Sequence, residues 1–380
     1  MKITLNMTVS VTVQYTASQI KEEKVMMKNM FKPLVLSAVL LTAAGCGNSD
    51  GLKNETGSAD DASAKPITLK LAASQPVTHT LHDGVFVPFM EKVTELTDGQ
   101  VEFDFYPSEQ LGKAGDLYDL TSNGVTDMSF IVSTYTPSLM PITGSLLGIP
   151  GLYDNSYEGT KALHMLNKDS AVLESDFLNN GVRPLVSSAL LPNEFWTKGK
   201  EIVLPKDIKG IKARVTGDAL NKSISALEGT PINLTASEFY EAFDRGVYDS
   251  LVLNATSMND YGFSELAKYG TDGISFGGLA TGLIINENVY QKLPEDIKEI
   301  FLQVGDEVTE DYAKFLDEEN DAVKEELRAA GITVRELTSE EAEQWKQFYS
   351  EMEAALISEH TEANYSEIVN KFKEEVKKHK

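Results

Sequence analysis

Twice along the chain a short apolar strand pattern, a helical pattern and a second strand pattern follow one another, and this alternation restricts the fold to an α/β sheet architecture. In the first occurrence Ile67 to Ala72 reads as a strand. A helical pattern follows from about His79, with Leu81, Val85, Phe89, Val93 and Leu96 on one face, and Asp98-Gly99 stops it. Val101 to Tyr106 alternates as a strand, a helix runs through Tyr118, and Asp127 to Ser133 is a nearly continuous apolar strand. The second occurrence begins near Glu201. Strands are expected at Ile211 to Val215, Thr230 to Leu234 and Val247 to Leu253, with helices at Asp218 to Leu227 and Ser237 to Arg245 between them. Ile274 to Ile285, with Gly277, Gly278 and Gly282, reads as extended chain passing back between two lobes, where glycine permits close backbone approach or a hinge.

Two lobes agree with the length. At 380 residues the chain exceeds what one hydrophobic core usually supports, roughly 250–300 residues. From Pro294 to Ala330 apolar residues recur every three or four positions, with Pro294 suited to a first helical turn and Gly331 to a C-cap. At 1.5 Å per residue such a helix runs roughly 50 Å, enough to brace both lobes. A break near Asp317 to Asn320, giving two helices, is the other reading of this stretch. Helical patterns at Ser339 to Ser358 and Asn364 to His379 close the chain. The division expected is 67–192 plus 280–318 for one lobe and 193–279 plus 319–380 for the other.

The N-terminus speaks to location. Lys28 and Lys32 precede an apolar stretch, Leu34 to Ala44, too short to span a bilayer but right for a signal-peptide core. It ends in Leu41-Thr42-Ala43-Ala44-Gly45-Cys46, whose small residues before the only cysteine resemble a bacterial lipoprotein cleavage signal. Cys46 would become the lipidated first residue, leaving the protein extracytoplasmic and lipid-anchored to the cell membrane. Residues 27–45 are then the signal peptide and 46–66, rich in Gly, Ser, Asn and Asp, a flexible tether. Residues 1–26 are polar and wrong for a signal peptide, so the biological start is expected at Met26 or Met27.

Charge excludes one class of partner. The chain has 34 Lys/Arg against 58 Asp/Glu, a net charge of −24, and without residues 1–45 the balance is 29 against 56. Such acidity opposes any surface that tracks nucleic-acid phosphates. An anionic ligand requires local positive charge, which one buried arginine supplies. Signals for catalysis are missing: no P-loop, no G-x-G-x-x-G after a strand, no H-E-x-x-H and no G-x-S-x-G. His79 and His82 stand three apart without a third ligand nearby, so no metal is expected. No enzyme activity and no cofactor are expected either.

The block Leu204-Pro-Lys-Asp-Ile-Lys-Gly-Ile-Lys-Ala-Arg214-Val215 resembles the segment of TRAP-transporter solute-binding proteins, the DctP-like family, that carries their substrate-carboxylate arginine. Tyr106-Pro-Ser-Glu-Gln-Leu-Gly112, Gly124-Val-Thr-Asp-Met128, Ser237-Glu-Phe-Tyr-Glu-Ala-Phe243 and Gly246-Val-Tyr-Asp249 are similar to further motifs of that family, in order and in register. The resemblance implies a two-lobed periplasmic-binding-protein-like fold with a ligand cleft between the lobes. It implies capture of a small organic acid and delivery to the membrane permease subunits of a TRAP-type, ion-driven transporter.

Arg214 is the expected carboxylate clamp, because a guanidinium fork matches a carboxylate and stays charged when desolvated. A second arginine that many members place about twenty residues earlier would fall at Glu194, so the double clamp is missing, and Trp196 is expected to line the cleft instead. Where sialic-acid-binding members carry an acid this chain has Val132, flanked by Ser133, Thr134 and Tyr135; where they carry an amide it has Leu253, with Asn254 next. Gln75 and His79 complete the candidate ligand-binding set. The site so read is apolar around one anion clamp and favours a monocarboxylate with an apolar body. Val132 and Leu253 read equally as strand-core residues, since one residue of register flips a strand's face. The competing functions are a binding protein of the ATP-driven uptake class, a secreted cleft enzyme and a sensor subunit.

Overall fold

A computed structural model describes residues 65–380, apart from 169 and 363 and the side chain of Ser237. Cys46, the signal peptide and the tether up to residue 64 lie outside the described residues. In chain order the strands are β1 (Ile67–Ala72), β2 (Val101–Tyr106), β3 (Met128–Val132), β4 (Val182–Ala189), β5 (Glu194–Thr197), β6 (Lys212–Val215), β7 (Thr230–Asn233), β8 (Ser250–Leu253), β9 (Tyr269–Asp272), β10 (Ala280–Asn286) and β11 (Thr333–Glu336). They form two mixed sheets, ordered β2-β1-β3-β10-β4 and β11-β9-β5-β8-β6-β7. β1 runs parallel to β2 and β3, and β6 parallel to β7 and β8. Those pairs are the two strand–helix–strand units visible in the sequence. The returning strand β10 is antiparallel to both β3 and β4.

The two sheets reuse one local device. Asp127, ahead of β3, accepts the Lys70 backbone N–H of β1 at 2.8 Å, and Asp249, ahead of β8, accepts the Lys212 N–H of β6 at 3.0 Å. Each aspartate closes a Gly-x-x-Asp segment whose glycine, Gly124 or Gly246, has positive φ. These motifs therefore set strand register.

Three segments link the sheets. The chain leaves the first after Ala189, enters the second at Glu194, and returns between Asp272 and Ala280. The return needs glycine: Gly277 has φ +67°, and a Cβ there would lie 2.6 Å from the Gly148 carbonyl oxygen. The third link is the helix Glu295–Ala329, continuous over 35 residues. At Asp317, where a break was the other reading, the side chain instead accepts the backbone N–H groups of Ser156 and Tyr157 at 2.7 and 2.9 Å, capping another helix. Phe301 and Val304 join the core of the first sheet, Val323 and Leu327 that of the second.

One buried ion cluster ties all three links. Lys324 on the long helix lies 2.7 Å from Glu194 and 2.5 Å from Asp272, the residues that open and close the passage through the second sheet. Burial pushes the Glu194 carboxyl up to about 7 against the pull of Lys324, and the two carboxylates outweigh burial to hold Lys324 above its ordinary value.

Two expectations fail locally. Leu96 is exposed rather than on the packed helix face: it is the last residue of the helix Val87–Leu96, whose buried positions are Phe89 and Val93. Residues 319–380 were grouped with the second lobe, but the last helix, Tyr365–Lys378, makes its contacts on the first: Phe372 packs on Tyr153, His379 on Tyr157, and Lys380 pairs with Asp154.

Candidate functional site

Open α/β sheets bind ligands beyond the carboxyl ends of their strands, and in this fold those ends meet. A cleft enclosing about 680 Å³ of space not filled by atoms, part of it open to solvent, lies among residues in or after β1, β3, β6, β7 and β8, the return segment and the long helix. Seven of the sequence-predicted residues line it: Gln75, His79, Val132, Tyr135, Arg214, Leu253 and Asn254.

Arg214 stands on β6 between β7 and β8, and only 3% of it is exposed. Its Nε and Nη2 donate to the Leu234 carbonyl at 3.1 and 2.7 Å, and the guanidinium stacks 4.6 Å above the Phe239 ring. No carboxylate pairs with it among the described residues. Bonding through the Nε edge leaves the Nη1/Nη2 edge as a two-pronged donor, and among the described residues Arg214 is the only Lys or Arg lining the cleft.

The facing wall comes from the loop after β1. Gln75 accepts the Ser108 backbone N–H through its carbonyl, and Ala73 accepts that of Glu109. Ser108 and Glu109 both hold positive φ, 56° and 60°, an uncommon conformation for residues other than glycine. The Pro-Ser-Glu-Gln turn thus fixes the Gln75 loop from behind. Farther along, the Leu81 backbone N–H donates to Nδ1 of His79 at 3.2 Å, which places the ring proton on Nε2. Burial pulls His79 below the usual histidine range, opposed by Asp260 3.5 Å away.

Asp260 was not singled out from the sequence. It ends the short helix Ala255–Asp260 of the second lobe and accepts the Thr80 hydroxyl of the first at 2.8 Å, so the lobes touch across the cleft. Phe239, Tyr261, Tyr312 and Leu316 also line it. Only Phe239 lay in a recognised motif; the others become neighbours through the packing of the short helix and the long one.

Three expectations are corrected. Trp196 does not line the cleft: it is fully buried, pairs with Leu251 and Gly270, and donates its indole N–H to the Leu253 carbonyl at 2.8 Å. Strand alternation puts it on the same side as Glu194, toward Val323 and Leu327 of the long helix. Ser133 is buried with its hydroxyl on the Thr143 carbonyl, and Thr134 packs toward Gly217, so neither is among the lining residues.

No helix among the described residues is long and apolar enough to cross a membrane. The family model for bacterial extracellular solute-binding protein, family 7 (DctP), matches residues 71–359. The C4-dicarboxylate-binding periplasmic protein DctP of Rhodobacter capsulatus is 27% identical over 301 residues, 75% of this chain and 84% of that one. A TRAP solute-binding protein from Rhodoferax ferrireducens, solved with copurified benzoate, superposes with a TM-score of 0.75 at 21% identity, covering 82% of this chain and 98% of that one. A marine metagenome TRAP solute-binding protein from an unidentified microbe, specific for aromatic acid ligands and solved with 3-hydroxybenzoate, gives 0.76 at 22%, covering 83% and 99%. These two likenesses establish the two-lobed fold.

Proposed function

Because the chain belongs to the family 7 bacterial extracellular solute-binding proteins, we propose that it captures a small monocarboxylate with an apolar body and delivers it to the permease subunits of a TRAP-type transporter, acting by binding and not by turnover. The observation that carries this reading is Arg214, a buried guanidinium with an open donor edge in a cleft whose remaining lining is largely apolar. Asp260 supports the choice of a single carboxylate in this reading. Its charge lies on the same cleft, so a second carboxylate on the ligand would meet a like charge, whereas an apolar body meets Val132, Leu253 and Leu279. The dicarboxylate-binding relative from Rhodobacter capsulatus is the contrasting case. His79 and Asp260 do not make an acid–base pair, since Nδ1 of the ring already accepts the Leu81 N–H.

A ligand touching both lobes favours the arrangement in which both touch it. Saturating benzoate or 3-hydroxybenzoate is therefore expected to bind in calorimetry more tightly than succinate and to lower the radius of gyration in solution scattering. Tighter succinate binding, or an unchanged scattering profile at saturation, would overturn the reading.

The anchor rests on residues 41–46. Lipidation of Cys46 places the protein on the membrane surface, and Cys46→Ser is expected to move it from the membrane to the soluble fraction. Retention of the variant on membranes would refute the anchor.

A further inference from the structure

Six buried side-chain oxygens lack a hydrogen-bond partner among the described residues, and only that of Gln75 lines the cleft. Gln75 is 93% buried, and its side-chain oxygen has no hydrogen-bond partner among the described residues. A buried polar group left unpaired is costly, so a loop that holds one in place indicates a partner that arrives with the ligand. His79, four residues on, presents an Nε2 proton that likewise has no acceptor among the described residues. Its ring is set edge-on against Tyr261, with 5.2 Å between centroids. An aliphatic or purely aromatic tail would leave all of these groups unsatisfied.

We infer that the acid held by Arg214 carries a second, uncharged polar group, a hydroxyl or an amide, and that Gln75 and His79 read it. This rests on the proposed carboxylate site and deepens it. A hydroxyl accepts from the His79 proton and donates to the Gln75 oxygen; a secondary amide does the same with its carbonyl and its N–H. Either leaves the ligand singly charged, as Asp260 requires. The loop is pre-set by its backbone bonds to Ser108 and Glu109, so little ordering accompanies the contact.

The test is calorimetry of the full chain with matched pairs: benzoate against 3-hydroxybenzoate, phenylacetate against mandelate, and cyclopentanecarboxylate against pyroglutamate. In at least one pair the polar member is expected to bind about tenfold or more tightly, the scale of one satisfied buried hydrogen bond. Gln75→Leu is expected to narrow that gap to under about threefold by weakening the polar member. Equal affinities within all three pairs, with saturable binding, would overturn this inference and leave the carboxylate site standing. No binding of any acid would overturn the site and this inference with it. A folded Gln75→Leu protein with the full preference would remove Gln75 as the reader. The ranking by the unaltered protein decides the matter even if that variant does not fold.

Discussion

Replacing Arg214 by alanine is expected to weaken binding of an aromatic monocarboxylate by about 30-fold to a few thousand-fold. Truncating one partner of a buried charge pair costs roughly 2–5 kcal/mol, and about 1.4 kcal/mol corresponds to each factor of ten. The lower end applies if water replaces the guanidinium over Phe239, the upper end if the carboxylate stays dry. Arg214→Lys is expected to recover little. An ammonium reaching the Leu234 carbonyl has no rigid second edge to present, whereas Nη1 and Nη2 are fixed together. Calorimetry of both variants, with thermal melts to confirm folding, checks this. Near-native affinity in a folded Arg214→Ala protein would mean that the ligand is held elsewhere.

The second large effect concerns stability. Lys324→Met removes the cation that Glu194 and Asp272 share, and breaking a buried pair from one side costs about 3–5 kcal/mol. The loss should depend on pH with a definite sign. The folded-state value of Glu194, about 7, lies above its ordinary range, so what this group contributes is present in full below that range and is lost as pH rises through about 7. Without Lys324 its ionisation is less favourable still. Urea unfolding is therefore expected to show a larger deficit for Lys324→Met at pH 8 than at pH 5. A deficit below about 1 kcal/mol, or one equal at both pH values, would mean that the cluster does not hold the links together.

Both strand–helix–strand units and the long helix were legible in the sequence because each rests on local periodicity. Arg214 was legible because a motif in register marked it. What stayed hidden depends on packing between distant segments. Trp196 and Glu194 share a strand face whose partner, the long helix, stands some 130 residues downstream, and no pattern within β5 tells which face looks into the cleft. Asp260 reaches Thr80 across 180 residues. Ser133 and Thr134 turn away because the chain bends into a 3₁₀ turn directly after Val132, ending the alternation on which their placement was read.

The bond from Thr80 to Asp260 separates two quantities that a binding curve merges. It joins the lobes without involving the ligand, so its strength adds to the barrier for opening while leaving untouched the contacts that choose among acids. How long a captured acid is carried can therefore be tuned at Thr80, apart from the residues that decide which acid is carried. Residence time can drift with Thr80 while selectivity stays with Asp260, Arg214 and the groups around them.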